Sequence, residues 1–166
     1  MSENTTPLTR EHVVEVMRSE RFVMLTSLST TGKLHSHPMT PLEVTDEADV
    51  YFFVNVSTDH AGNLRHDSRV NVAFTDNTTW LSVAGEVTFL EGAEKTAKID
   101  ELWNDATAAW YEGGKNDANL GVVRVTSEAA QLWNQEGGMV SQFLDFAKAR
   151  ITGEKPDDGG TGTVTL

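Results

Sequence analysis

Two short runs hold most of the side chains with which this chain could do chemistry. The first is His35-Ser36-His37-Pro38-Met39-Thr40-Pro41. Alternate residues of an extended strand share a face, so His35 and His37 project together, with Glu43 six residues beyond His37. Two imidazoles and a carboxylate are conceivable metal ligands. Histidine pairs without a ligand spacing are more often hydrogen-bonded or solvent-facing, and no metal is assigned to these. Pro38 and Pro41 each remove a ladder donor, which places this strand at an edge, in a bulge, or with backbone turned towards a ligand.

The second run is Val54-Asn55-Val56-Ser57-Thr58-Asp59-His60, where a buried strand passes through hydroxyl residues into a helix start. Hydroxyls, unpaired amides and the positive end of a helix suit an anion, and a protonated His60 would add charge. The same residues also read as an ordinary helix start, with Thr58 as the cap and His60 on the surface. Of the four tryptophans, Trp80, Trp103, Trp110 and Trp133, Trp103 ends a helical apolar stripe and suits a core or dimer interface. Trp110 lies in the glycine-bearing stretch AWYEGGKND and is the better candidate for a ligand or an interface. No serine elbow, carboxylate pair or glycine-rich phosphate loop is present, so hydrolysis and the common nucleotide-binding routes have no support.

These runs need elements to hold them. Thr9 caps an expected helix to Glu20, with Val13, Val16 and Met17 at helical spacing. A hairpin follows, turning at Thr31-Gly32-Lys33, with its second strand over Leu34 to Val44. Val50–Val54 reads as a buried third strand, and Asp59–Asp67 as a short helix with Ala61 and Leu64 inward. Arg69–Phe74 and Thr79–Leu90 pair across Asp76-Asn77, and Gly85 marks a bulge or a close backbone approach. Ala93–Trp103 returns to helical spacing, a loop follows, and Leu120–Val125 is the last strand. A short helix is expected over Val140–Arg150, and a polar tail from residue 153 is expected to be disordered. Short strands in hairpin order favour an α+β antiparallel barrel over a doubly wound sheet.

Composition narrows the partners. The 166 residues suit one domain, and no apolar run is long enough to span a bilayer. A net charge of -12 opposes binding to nucleic acid and anionic membranes, although a local pocket could still hold one phosphate. The chain has no cysteine, so redox chemistry would need a bound cofactor. The polar N-terminus lacks a secretory pattern, and the expected compartment is the cytoplasm.

Taken in order, SHPMTPLEV, YFFVNVSTDHAGNLRHDSRVNVAF, WLSVAGEVTF and ELWNDATAAWYEGGKNDANLGVVRV resemble the general stress protein branch of the pyridoxamine 5'-phosphate oxidase-like family, collinearly from about Arg21 to Trp133. The resemblance implies a six-stranded antiparallel split β-barrel with flanking helices over residues 1–152, and a homodimer binding FMN at the subunit interface. It implies that His37, Pro38, Met39 and Thr40 line the flavin from the second strand, and Phe52, Phe53 and Val54 from the third. Thr58 and His60 would face the phosphate, while Trp103 and Trp110 approach from the helix and loop. The implied activity is flavin binding, extending to an FMN-dependent oxidoreductase on a small molecule. The alternatives are a flavin-sequestering protein and a cofactor-free dimer; no catalytic residue is assigned.

The chain departs from the family pattern at two places. An arginine usually precedes Pro-Met and a lysine usually follows the hydroxyl at the helix start; here His37 and His60 stand in their place. Two permanent cations become titratable groups with an ordinary pKa near 6.5. The expectation is an FMN affinity that strengthens from about pH 8 to about pH 6 as both rings charge.

Overall fold

In the computed structural model, residues 8–134 and 160–166 are described. Helix α1 (Arg10–Ser19) is capped by Thr9, whose hydroxyl accepts from the His12 amide at 3.2 Å, and it buries Val13, Val14 and Met17. Its Arg18 donates to the Val44 carbonyl at 2.8 Å and pairs with Asp46, fixing the helix to the sheet. Strand β1 (Val23–Leu28) turns into β2 (Leu34–Met39) through Gly32, at φ 79°, where a side chain would be strained. The second strand was expected to reach Val44, but it stops before Thr40-Pro41 and resumes as a two-residue β3 (Glu43–Val44). Proline cannot donate to a ladder, so the break falls where the sequence places it.

Strand β4 (Val50–Asn55), helix α2 (Asp59–His66), β5 (Arg69–Thr75) and β6 (Thr79–Phe89) follow close to the expected positions. Helix α3 (Gly92–Leu102) leads into a segment expected to be loop, which contains α4 (Asp105–Ala108) and a 3-10 turn at Gly114–Asn116. Strand β7 (Leu120–Asn134) runs nine residues past its expected end, and β8 (Gly160–Thr165) pairs with it where a tail was expected. Main-chain pairing needs no apolar pattern, which is why a Gly/Thr stretch gave no strand signal. The helix expected over 140–150 and the first part of the tail, 153–159, lie outside the described residues.

All described strands join one antiparallel sheet in the order β2-β1-β5-β6-β7-β4-β3, with β8 on β7. It curls into a split barrel of eight strands among the described residues, the expected six plus β3 and β8. The barrel interior holds Leu25, Val50, Phe52, Val72, Phe74, Leu81, Val83, Val123 and Val125, with α1 closing one end. A second, smaller core lies outside β4 and β7: Tyr51, Leu120 and Val122 pack against Leu90, Ile99 of α3, and Tyr111.

Candidate functional site

Strand β2 is the sheet's edge, one of the three placements its proline allowed. Its last residues face the α4 segment across a cleft of about 370 Å³, within the range of small-molecule sites. Pro38, Met39, Thr40, Leu42 and Phe53 form the barrel-side wall; Ala106, Thr107, Trp110 and Tyr111 form the other. Among the described residues, no ionised side chain lines it. Beyond Tyr51, β4 pairs among the described strands with β7 alone, which leaves the Phe52–Asn55 edge beside the cleft without a strand. Trp110, 83% exposed at the rim, offers a flat indole face without a bulk-packing role.

Next to this cleft His37 meets His60. The first precedes Pro38 on β2; the second stands in the first turn of α2, positioned by the Thr58 cap. Their ring centroids are 4.0 Å apart with the planes inclined by 36°. The His37 Nδ1 and both ring nitrogens of His60 are buried without a hydrogen-bond partner among the described residues. Buried imidazole nitrogens are normally satisfied, and orphaned ones mark a place where a polar ligand fits. Burial of His60, with the neighbouring His37 as the smaller cause, pulls its pKa down to about 4. The expectation that His60 charges between pH 8 and pH 6 is therefore corrected for the ligand-free protein, because desolvation disfavours the imidazolium.

That shift makes a stability prediction with a definite sign. A histidine whose folded pKa is depressed is protonated more readily in the unfolded chain, so stability is full above about pH 6.5 and declines towards about pH 4. After discounting for partial exposure, the loss across that window is about 1–2 kcal/mol. The fall in urea midpoint from about pH 7 to about pH 4.5 should be smaller in His60→Gln than in the parent; an equal fall in both would contradict the assignment.

The other expected residues divide cleanly. Pro38, Met39, Thr40, Phe53 and Trp110 come together at the cleft, and His37 and His60 beside it. Phe52 and Val54 do not line it: alternation sends both side chains into the barrel core. The Thr58 hydroxyl is occupied, accepting from Ala61 N at 3.3 Å and donating to Asn55 O at 2.8 Å. Trp103 stands behind the cleft, its ring 6.4 Å from that of Phe53, and supports that wall from outside. Glu43, the carboxylate of the conceivable metal set, bonds Lys98 at 2.7 Å, and His35 is exposed.

Sequence reasoning missed Leu42, Asn55, Asn104, Ala106, Thr107 and Tyr111 as cleft residues. One signal was available: Asn104 is a helix cap, its Oδ1 accepting from Thr107 N at 3.0 Å, so the Asn-Asp pair announced α4. Tyr111 has its hydroxyl pKa raised, chiefly by burial and then by the Asp117 carboxylate, so it stays protonated and can donate a hydrogen bond.

Comparison with known proteins agrees with this architecture. The general stress FMN/FAD binding protein of Xanthomonas citri is 32% identical at a TM-score of 0.66, with 78% of this chain and 91% of that chain covered. A protein from Clostridium acetobutylicum related to general stress protein 26 has the same TM-score, 0.66, at 19% identity, covering 77% of this chain and 92% of that one, and supports the fold alone. Protein bli-3 of Neurospora crassa is 29% identical over 151 residues, 83% of this chain and 70% of its own length. The family described as pyridoxamine 5'-phosphate oxidase like matches residues 9–157. With its curled antiparallel sheet, proline-broken edge strand and flanking helices, the chain belongs to the pyridoxamine 5'-phosphate oxidase-like family.

Proposed function

We propose that this protein binds FMN in the cleft between β2 and α4, as a cytoplasmic homodimer, and uses it as an oxidoreductase on a small molecule. The observation that carries the reading is the junction of an uncharged cleft with two imidazoles in contact, three of whose ring nitrogens are buried without partners among the described residues. The residues present fit the group: Pro38, Met39, Phe53 and Trp110 suit a planar ring, and His37 with His60 suits a phosphate. Bound there, FMN would supply reversible hydride or electron transfer. The protein's part is to exclude water along the Met39–Phe53 wall and to orient the ring through Thr40, Asn55 and the protonated Tyr111 hydroxyl.

A dimer is supported by exposed apolar side chains on the β1–β2 hairpin. Met24 stands directly opposite Pro38, and Leu34 lies on the same outward face beyond the Thr26–Ser36 hydroxyl pair, so exposed apolar side chains flank an uncharged strip next to the cleft rim. The uncharged lining of the cleft also favours a second reading, flavin sequestration without turnover, because no described side chain there is placed to exchange protons at neutral pH.

Titrating FMN into the protein tests the reading. A bound flavin band near 450 nm and a saturable change in flavin emission are expected, with Trp110→Ala weakening affinity roughly tenfold while leaving thermal stability unchanged. Absence of saturable binding would refute the proposal. NAD(P)H-dependent reduction faster than that of free FMN separates the oxidoreductase from the sequestering protein.

A further inference from the structure

The arrangement of the two histidines implies more than an anion site. A phosphate dianion offers only acceptors, whereas a neutral imidazole has one N–H donor and one lone pair. Both His60 nitrogens are buried and unpartnered among the described residues, so the neutral ring can offer a phosphate one N–H while its other nitrogen stays an orphaned lone pair, and a proton taken up with the anion turns both into donors. With the rings 4.0 Å apart, two positive charges would repel strongly, and the pair has room for one.

We propose that the His37–His60 pair is a proton-coupled phosphate acceptor, taking up one proton as a flavin phosphomonoester binds. This rests on the reading of the adjoining cleft as an FMN site and goes beyond it, because an arginine and a lysine in these places would bind phosphate without proton exchange. Among the described residues, the surroundings offer no other charge to do the work. On β2 the nearest titratable group is His35, exposed and two residues away; on α2 Asp59 is exposed, and Arg65 and His66 lie in the last turn. On β1 the residue opposite His37 is Leu25, and the Val56-Ser57-Thr58 turn holds no charge. The depressed pKa of His60, caused first by burial, agrees with a ring that is uncharged until an anion arrives.

Isothermal titration calorimetry of FMN at about pH 7.5, in two phosphate-free buffers of different ionisation enthalpy, reads the proton directly. Uptake approaching one proton per FMN is expected, with affinity rising about tenfold per pH unit from about pH 8.5 to 7. Riboflavin, which lacks the phosphate, should bind without proton uptake. His60→Lys should bind FMN more tightly than the parent at about pH 8.5 and lose most of the uptake; His60→Gln should lose the uptake and bind more weakly. On the unmutated protein, 15N spectra of the imidazoles should show His60 changing from neutral to imidazolium on FMN addition. FMN binding with no net proton exchange, or uptake that survives His60→Gln, overturns the inference alone. If neither FMN nor riboflavin binds, the cleft reading fails and the inference falls with it.

Discussion

Gly85→Ala is expected to cost about 2–4 kcal/mol of folding stability, a large loss for one methyl group. Gly85 lies on β6 opposite Ser127, where the register of the β6–β7 ladder shifts. A Cβ built there would overlap the Thr126 carbonyl oxygen and come within 3.1 Å of Val125 Cγ1. The first of these is backbone in a paired strand, so relief requires the ladder itself to move, and a flexible side chain cannot absorb the clash. Gly62 supplies the contrast: it sits within α2, a methyl group there would meet nothing within 4 Å, and its φ lies outside the left-handed region. Gly62→Ala is expected to stabilise by about 0.5–1 kcal/mol, because glycine in a helix interior loses more backbone freedom than alanine. Chemical denaturation of both variants would check the pair; equal midpoints would show that the close approach at Gly85 is not limiting.

The second large effect separates two adjacent phenylalanines. Phe52 is fully buried in the barrel, and Phe52→Ala is expected to lose about 3–5 kcal/mol, enough to unfold much of the population at modest temperature. Phe53 faces the opposite way, into the cleft wall against Trp103. Phe53→Ala is expected to cost only about 1 kcal/mol of stability while weakening the proposed FMN binding roughly tenfold or more. Thermal melts and flavin titrations on the two variants give opposite rank orders if the strand's two faces divide the labour in this way. A Phe52→Ala protein that keeps its melting point, or a Phe53→Ala protein that keeps its affinity, would contradict the division.

The same alternation explains what the sequence revealed and what it hid. The elements from α1 to β6 were legible because each has a local signature: Thr9 and Thr58 as caps, Gly32 in a turn, and period-two apolar runs in the strands. The edge position of β2 is one of the three alternatives that Pro38 and Pro41 left open. Assigning Phe52, Phe53 and Val54 together to a ligand ignored the pleat, which lets only the middle one face the cleft. The far wall was read as loop because α4 has only four residues, too few for a periodic signal. The contact between His37 and His60 depends on a docking of α2 beside β2 that neither run encodes by itself. The full length of β7 was missed for a different reason: its period breaks in the middle.

That break has a consequence for how the chain can change length. Ala84 pairs with Ala129 and Gly85 with Ser127, so Glu128 has no partner on β6. Before it, the inward residues are Val123, Val125 and Ser127; after it they are Ala130 and Leu132. One unpaired residue has changed odd for even. It falls between the stretch of β7 that pairs with β4 and the stretch that pairs with β8, so each half of the strand keeps its own phase towards the core. Removing Glu128 would bring Ser127, Ala129 and Ala130 into unbroken succession opposite Gly85, Ala84 and Val83, so Ala130 and Leu132 would still point inward, whereas losing one paired residue from either half would turn that half's inward set outward. The bulge is thus the position at which this strand can shorten by one residue without changing which side chains meet the core.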